Sequence, residues 1–139
     1  MLLHHLLERT AARSPHQEAL VFGGQRWSYA DINLRADRLA AALQQRGVQR
    51  SDRMATVLDN SLEAVVNLWA ALKCGAVFMP INPLTKRDKL TCLLNDARAC
   101  VLLAHAVLLP EVDAALAQSS SVHTAWWVGD ARGLQAAAT

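Results

Sequence analysis

The spacing of hydrophobic and polar residues changes several times along the chain between patterns typical of helices and of strands. The clearest change falls within residues 60–83, NSLEAVVNLWAALKCGAVFMPINP. Asn60 is a candidate helix N-cap, and Glu63 three residues later can return a hydrogen bond to it. Gly75 can adopt the left-handed conformation that ends a helix. A short apolar run over 77–81 then has the length of a strand. The stretch therefore predicts one complete helix-to-strand step.

The helix within this stretch carries few polar side chains. Glu63, Asn67 and Lys73 are its strongly polar positions, and at 100° per residue they occupy about a third of its circumference. This stripe is expected to face solvent. The other two thirds of the surface is expected to be covered by protein.

The N-terminal segment predicts a short helix and a hairpin. Apolar residues recur at helical spacing at Leu2, Leu3, Leu6, Leu7 and Ala11. Pro15 ends this helix, because the residue before a proline is pushed out of the helical region. Extended runs at 19–22 and 25–28 surround Gly23-Gly24, a pair that can form a two-residue turn. The same pair could approach a phosphate, but no helix start and no Lys-Ser/Thr follow it, so the hairpin is favoured.

Two further helices begin with a recognisable N-terminal pattern. Ser28 and Asp31 have the spacing of a capping box, and Thr85 and Asp88 repeat it. Apolar faces follow, at Tyr29, Ile32, Ala36, Leu39, Ala40 and Leu43 in the first helix and at Leu90, Leu93, Leu94 and Ala97 in the second. A last helix over 111–118 has Pro110 in its first turn.

The strand candidates recur with a regular rhythm along the chain. They lie at 52–58, 77–81, 100–104 and 123–128, with a start about every 23 to 25 residues. Alternating strands and helices of this kind form a parallel sheet. The predicted fold class is α/β, a Rossmann-like parallel sheet flanked by helices, preceded by the short N-terminal helix and hairpin. Residues 131–139 are expected to form a flexible tail.

Composition narrows the class of protein without naming its function. The 139 residues are 53% hydrophobic and 19% charged, which argues against disorder, and no apolar run approaches the roughly 20 residues of a membrane span. The net charge of +2 is spread along the chain, so nothing suggests a nucleic-acid surface. The N-terminus lacks the pattern of a signal peptide. A soluble, cytoplasmic protein is expected.

The histidines and cysteines show no familiar metal-site spacing. The histidines are His4, His5, His16, His105 and His123, and the cysteines are Cys74, Cys92 and Cys100. Neither set contains HxxxH, HExxH or CxxC, so no metal ligand is predicted. Three cysteines in apolar or helical surroundings indicate reduced thiols.

Other candidates for chemistry have a plainer structural interpretation. Trp126-Trp127 could stack on a ring of a ligand, but adjacent residues of a strand face opposite sides of the sheet. One tryptophan is therefore expected in the core and the other on a packing surface. The cations Lys86, Arg87 and Lys89 could meet a phosphate, although a solvated first helical turn is favoured. Cys74 precedes the helix-ending glycine, and nothing nearby in the sequence would activate its thiol. Glycine-rich nucleotide loops and nucleophile elbows are absent from the sequence.

The order of segments resembles a known family. WSYADIN at 27–33, DRMATVLDNSLEAVVNLWAALKCGAVFMPINP at 52–83 and ACVLLA at 99–104 are similar to the N-terminal part of AMP-forming acyl-CoA synthetases and other adenylate-forming enzymes. The most specific portion is LKCGAVFMPINP at 72–83, whose INP ending is more like acyl- or aryl-CoA ligases than peptide-synthetase adenylation domains. By this resemblance, residues 1–139 are the N-terminal portion of an AMP-binding domain.

The resemblance implies an activity for a longer parent protein. Such a ligase activates a carboxylic acid with ATP to an acyl-adenylate, releases pyrophosphate and transfers the acyl group to a thiol of CoA or a carrier protein. ATP, Mg and CoA are implied as cofactors of the parent, and none is expected for this chain. Its partners would be the remainder of the parent ligase, the acid, and CoA or an acyl carrier protein.

The family's phosphate loop and catalytic lysine lie downstream of the matching segments, so no catalytic, cofactor-binding or metal residue is transferred. Ser119–Ser121 has no glycine or lysine after it and is interpreted as a helix-to-strand connection. The chain alone is expected to be inactive, and a sheet edge left by missing segments could cause self-association. The alternative is a free-standing, non-catalytic α/β interaction or regulatory module. The coding region past Thr139 would distinguish these hypotheses.

Overall fold

The computed structural model of the protein describes residues 1–129, which form two compact units. Unit 1 comprises residues 1–51 and 60–77, and unit 2 comprises residues 52–59 and the described residues from 78 onward. The tail predicted at 131–139 lies outside the described residues. No helix in the described part of the chain is long and apolar enough to cross a membrane.

The predicted elements are present, with small shifts at their ends. The helices are α1 (His4–Arg13), α2 (Tyr29–Gln45), α3 (Leu62–Cys74), α4 (Arg87–Ala97) and α5 (Leu109–Leu116), and a short 3-10 helix covers Ala106–Leu108. The strands are β1 (Glu18–Phe22), β2 (Gln25–Ser28), β3 (Arg53–Val57), β4 (Val77–Pro80), β5 (Val101–His105) and β6 (Thr124–Val128).

Unit 1 is built from α1, the β1–β2 hairpin, α2 and α3. The hairpin is antiparallel, and Gly23 and Gly24 turn it with φ values of 58° and 76°. At the start of α2 the Ser28 hydroxyl accepts the Asp31 N–H and the Asp31 carboxylate accepts the Ser28 N–H, which confirms the capping box. The three helices meet around the buried side chains of Leu7, Ile32 and Leu62.

The polar stripe and the cap predicted for α3 were wrong. Ser61 is the N-cap in place of Asn60, because its backbone is extended and its hydroxyl accepts the Ala64 N–H at 3.2 Å. Asn67 is fully buried, and the side chain of Lys73 is only 6% exposed. The C-terminal end is as predicted, with Gly75 in the left-handed region at φ 72°.

Unit 2 contains the parallel four-stranded sheet, with strand order β4-β3-β5-β6. The registers pair Met54 with Val101 between β3 and β5, and Val101 with Thr124 between β5 and β6. Its core joins both central strands to α4 and α5 through Ala55, Val57, Ile81, Leu90, Leu94, Ala99, Leu102, Ala104, Val112 and Ala115. The alternate residues of β3 and β5 are buried too, as expected for a continuous apolar run in a parallel sheet.

The N-terminus of α4 departs from the predicted capping pattern. Thr85 lies one residue too early, and Lys86 occupies the N-cap without a side-chain hydrogen bond. Glu111 of α5 instead accepts the Arg87 N–H at 3.3 Å, so a residue from another helix satisfies this terminus. Local spacing cannot reveal a cap that is supplied 24 positions away along the chain.

Candidate functional site

The strand order of unit 2 makes the carboxyl edge of its sheet the first place to look for a ligand site. β3 and β5 are neighbours, and the chain passes from β3 outward to β4 on one side and from β5 outward to β6 on the other. In open α/β sheets, ligands bind outside the carboxyl ends of the strands at such a switch point. The edge is formed by the segments that follow Val57, Pro80, His105 and Val128.

His105 and Gly129 fill one part of this edge. The His105 Nδ1 accepts the Val107 N–H at 3.2 Å, so a neutral imidazole carries its proton on Nε2. Gly129 lies at φ 80°, and a Cβ built on it would stand 2.7 Å from that Nε2. A larger residue at this position would therefore require the ring of His105 to move. The imidazole occupies the end of the β5–β6 pair.

The INP segment forms a turn at the same edge, after β4. Ile81 N–H donates to the Thr56 carbonyl at 2.8 Å and thereby extends the pairing of β4 with β3. The Asn82 side-chain oxygen accepts the Leu84 N–H, and its backbone carbonyl accepts the Thr85 N–H, both at 2.9 Å. The side-chain oxygen of Asn82 is thus used to shape the turn, which gives this segment a scaffold role.

The chemistry available at this edge is limited. Within the described residues, its polar side chains include the His105 imidazole, the Asp59 carboxylate and the Asn82 amide. Adenylation needs donors around the transferred phosphorus, a metal ion and a cation near the attacking carboxylate. This combination is not found among the described residues of the edge.

A second polar cluster lies in unit 1, where Lys73 joins three helices. Its Nζ is 2.7 Å from Glu8 Oε1 of α1 and 2.8 Å from Asp37 Oδ1 of α2. Burial disfavours the charge on Lys73, but the hydrogen bonds to Asp37 and Glu8 outweigh burial, and the pKa of Lys73 is raised. The hydrogen bond from Lys73 in turn lowers the pKa of Glu8. Both shifts favour the charged forms of Lys73 and Glu8.

His4 and His5 lie beside this cluster and were not predicted as candidates. One ligand atom from each of His4, His5 and Glu8 lies within 4.8 Å of the other two. A search for HxxxH overlooks them, because the residue four positions after His4 is Glu8 and not a second histidine. His4 and Glu8 are four residues apart on one helix, and this is the signal in the sequence that could have revealed the cluster.

The glycine pair, the cysteine and the tryptophans have structural roles. Gly23-Gly24 forms the hairpin turn. The buried Cys74 thiol donates to the Ala40 carbonyl at 3.4 Å, and burial raises the pKa of this thiol, so it is protonated and shielded. Trp127 packs against the core of unit 2, and neighbouring Trp126 takes the opposite face of β6. The two rings do not form one stacking platform.

The basic and serine-rich candidates are also accounted for by the fold. Lys86, Arg87 and Lys89 are exposed at the start of α4, where Arg87 Nε lies 3.4 Å from Asp88 Oδ1. Ser119 follows the end of α5, and its buried hydroxyl donates to the Ala115 carbonyl at 2.8 Å. Ser119–Ser121 is thus the helix-to-strand connection that the sequence predicts.

The family to which the chain belongs is given by a direct match of its sequence to a family model. Residues 7–137 match the family model described as "AMP-binding enzyme". The chain belongs to this family of adenylate-forming enzymes. It corresponds to an N-terminal portion of these ligases, as the resemblance predicted.

Relatives within this family include large peptide synthases. The chain is 35% identical over 111 residues to bacitracin synthase 1 of Bacillus licheniformis, covering 80% of this chain and 2% of that protein. It is 37% identical over 119 residues to tyrocidine synthase 3 of Brevibacillus parabrevis, covering 86% of this chain and 2% of that protein. The chain therefore spans a small part of the curated relatives that it matches.

Similar solved structures include acyl-CoA-forming members of the family. A fatty acyl CoA synthetase of Mycobacterium tuberculosis aligns with a TM-score of 0.86 and 30% identity, covering 91% of this chain and 26% of that chain. The inhibitor-bound N-terminal domain of FACL13 from the same organism also gives 0.86 and 30%, covering 91% and 33%. Peptide synthases and CoA ligases both appear among the relatives, so the preference for acyl- or aryl-CoA ligases drawn from INP stays a prediction.

Proposed function

We propose that this chain is the N-terminal scaffold portion of a ligase that activates a carboxylic acid with ATP and transfers the acyl group to a thiol. The observation that carries this proposal is the family match over residues 7–137. In the proposed reaction, the carboxylate attacks the α-phosphorus of ATP, pyrophosphate leaves, and a thiol then displaces AMP from the acyl-adenylate. ATP and Mg serve the first step, and CoA or a carrier-protein phosphopantetheine accepts the acyl group.

In this proposal the described residues form the scaffold on which the reaction takes place. The parallel sheet fixes the turn at Asn82 and the β5–β6 end at His105, and side chains there are already used to hold these segments in place. Mg-ATP finds no matching set of ligands among the described residues of the edge. The reacting groups are therefore proposed to come from the remainder of the parent, and residues 1–139 alone are proposed to be inactive.

The test is carboxylate-dependent exchange of pyrophosphate into ATP by the full-length parent. We expect exchange with a fatty or other hydrophobic acid, and the acyl-CoA-forming relative supports this choice of acid class. Exchange that is absent with hydrophobic acids and with amino acids would contradict the ligase function. Exchange with amino acids alone would retain the adenylation step and reject the hydrophobic substrate.

The acceptor is tested separately, by supplying the activated acid with either CoA or a phosphopantetheinylated carrier protein. We propose CoA, on the basis of the INP ending of the turn. Acyl transfer to the carrier protein alone would refute that choice. A cytoplasmic location is also proposed, and the three free cysteines support it.

A further inference from the structure

We propose that His4, His5 and Glu8 form a binding site for a divalent transition-metal ion, with Zn²⁺ as the best-suited ion. The site is in unit 1 and is independent of the proposed ligase function. Two imidazole nitrogens and one carboxylate oxygen, all from the first half of α1, form its donor set. Zn²⁺ accepts this combination, and a water molecule can complete a four-coordinate shell.

The spacing of the three side chains is close to what such an ion requires. Bonds of about 2.1 Å in a tetrahedral shell place neighbouring ligand atoms roughly 3.4 Å apart. The three ligand atoms here already lie within 4.8 Å of one another, so side-chain rotations can complete the approach. The two imidazole rings meet edge to face, with centroids 4.5 Å apart and an interplanar angle of 78°. His4, His5 and Glu8 are each half-buried and reachable from solvent.

The carboxylate of the proposed site is already held in position by the ion cluster of unit 1. Lys73 contacts both Glu8 and Asp37, so one ammonium bridges two carboxylates. Lys73 holds Glu8 Oε1 at 2.7 Å, which fixes the carboxylate and leaves Oε2 for a metal ion. Ligating carboxylates in metalloproteins are commonly hydrogen-bonded in this way by an outer group.

One existing hydrogen bond competes with the metal. His5 Nδ1 accepts the Leu2 N–H at 3.2 Å, so the neutral ring carries its proton on Nε2. An ion bound at Nδ1 must replace the Leu2 N–H, and an ion bound at Nε2 requires the ring proton to move to Nδ1, which also breaks the hydrogen bond from Leu2. His4 has no such hydrogen bond among those found in the described residues, so it offers the readier first ligand.

The experiment uses residues 1–139 without a histidine tag, and Zn²⁺ or Co²⁺ alone as the probe. Calorimetry with Zn²⁺ should show one site, and Co²⁺ should give visible d–d absorption. Loss of an outer-shell partner alone costs about 10- to 100-fold in metal affinity, so His4→Ala and His5→Ala should each weaken binding at least about tenfold. His16→Ala is the matched control, because His16 is exposed and lies beyond the end of α1.

Far-UV circular dichroism checks that the variants fold, and alanine preserves the helical propensity of α1. The proposal is overturned if the wild-type chain shows neither calorimetric binding nor Co²⁺ absorption. It is equally overturned if the His4→Ala/His5→Ala double variant binds as tightly as wild type, or if His16→Ala weakens binding as much as His4→Ala does.

Discussion

The ion cluster around Lys73 makes an asymmetric prediction about stability. The side chain of Lys73 is 6% exposed, whereas those of Glu8 and Asp37 are 42% and 52% exposed. Removing the lysine therefore leaves two carboxylates that water can still solvate. Removing both carboxylates leaves a buried ammonium without a charged partner. The second change should cost more, although each change breaks the same two ion pairs.

The exposure of each partner sets the expected magnitudes. Lys73→Met keeps the apolar stem and loses two half-exposed pairs, each worth about 0–1 kcal/mol, so its cost should be about 1 kcal/mol. The Glu8→Gln/Asp37→Asn double variant leaves the buried charge, for which breaking a pair costs roughly 3–5 kcal/mol. The amide oxygens still accept hydrogen bonds, so a cost of about 3 kcal/mol is expected.

Urea unfolding at neutral pH measures both free energies, with Lys89→Met as the control because Lys89 is exposed on α4. The control should stay within about 0.5 kcal/mol of wild type. Equal costs for the two cluster variants, or a larger cost for Lys73→Met, would refute the argument from burial.

The pH dependence of the same cluster has a defined sign. The pKa of Glu8 is lowered in the folded state, so its contribution is present above the ordinary glutamate pKa of roughly 4.3 and is lost as pH falls through the lowered value. The pKa of Lys73 is raised, so its contribution is present below roughly pH 10.4 and is lost as pH rises through the raised value. The stability difference between wild type and Lys73→Met should therefore shrink in acid and again in strong alkali. A difference that stays constant from neutral pH into acid would argue against the Glu8 linkage.

Three further predictions concern Gly129, Ser61 and the edges of the sheet. Gly129→Ala should destabilise the chain by roughly 1–3 kcal/mol, because the backbone has a positive φ and the new Cβ would meet the ring of His105. In urea unfolding, the Gly129→Ala/His105→Ala double variant should regain part of the stability lost through the clash, and no recovery would contradict the clash. Ser61→Ala should cost about 1 kcal/mol in the same assay, whereas Asn60→Ala should be nearly neutral, and the reverse order would restore Asn60 as the cap of α3. In the described residues β4 and β6 each end the sheet with an unpaired edge, so light scattering of residues 1–139 should show dimers or larger species, and a monomer at all concentrations would favour the free-standing module.

The order and type of the elements could be predicted because they depend on local signals. The capping box at Ser28, the glycine turn at Gly23-Gly24 and the helix end at Gly75 involve residues close in sequence, and all three are present. The parallel sheet followed from the strand-helix rhythm and from the continuous apolar run of β5.

The features that could not be predicted depend on partners distant in sequence. Lys73 appeared to be a solvent-facing residue because its carboxylate partners lie on α1 and α2, and Glu8 is 65 positions away. The cap of α4 was missed in the same way, because Glu111 is 24 positions from Arg87 along the chain. Asn67 was expected on a polar face that periodicity alone assigned to solvent, but it is fully buried.

The claim that residues 1–139 are a scaffold without a nucleotide site is tested most directly by thermal denaturation during a titration with Mg-ATP. A ligand at a hundred times its dissociation constant stabilises its protein by about 2.7 kcal/mol, so binding would be easy to detect. We expect no shift for residues 1–139 and a clear shift for the full-length parent under the same conditions. A clear shift for residues 1–139 alone would show that this chain contains a nucleotide site and would contradict the account.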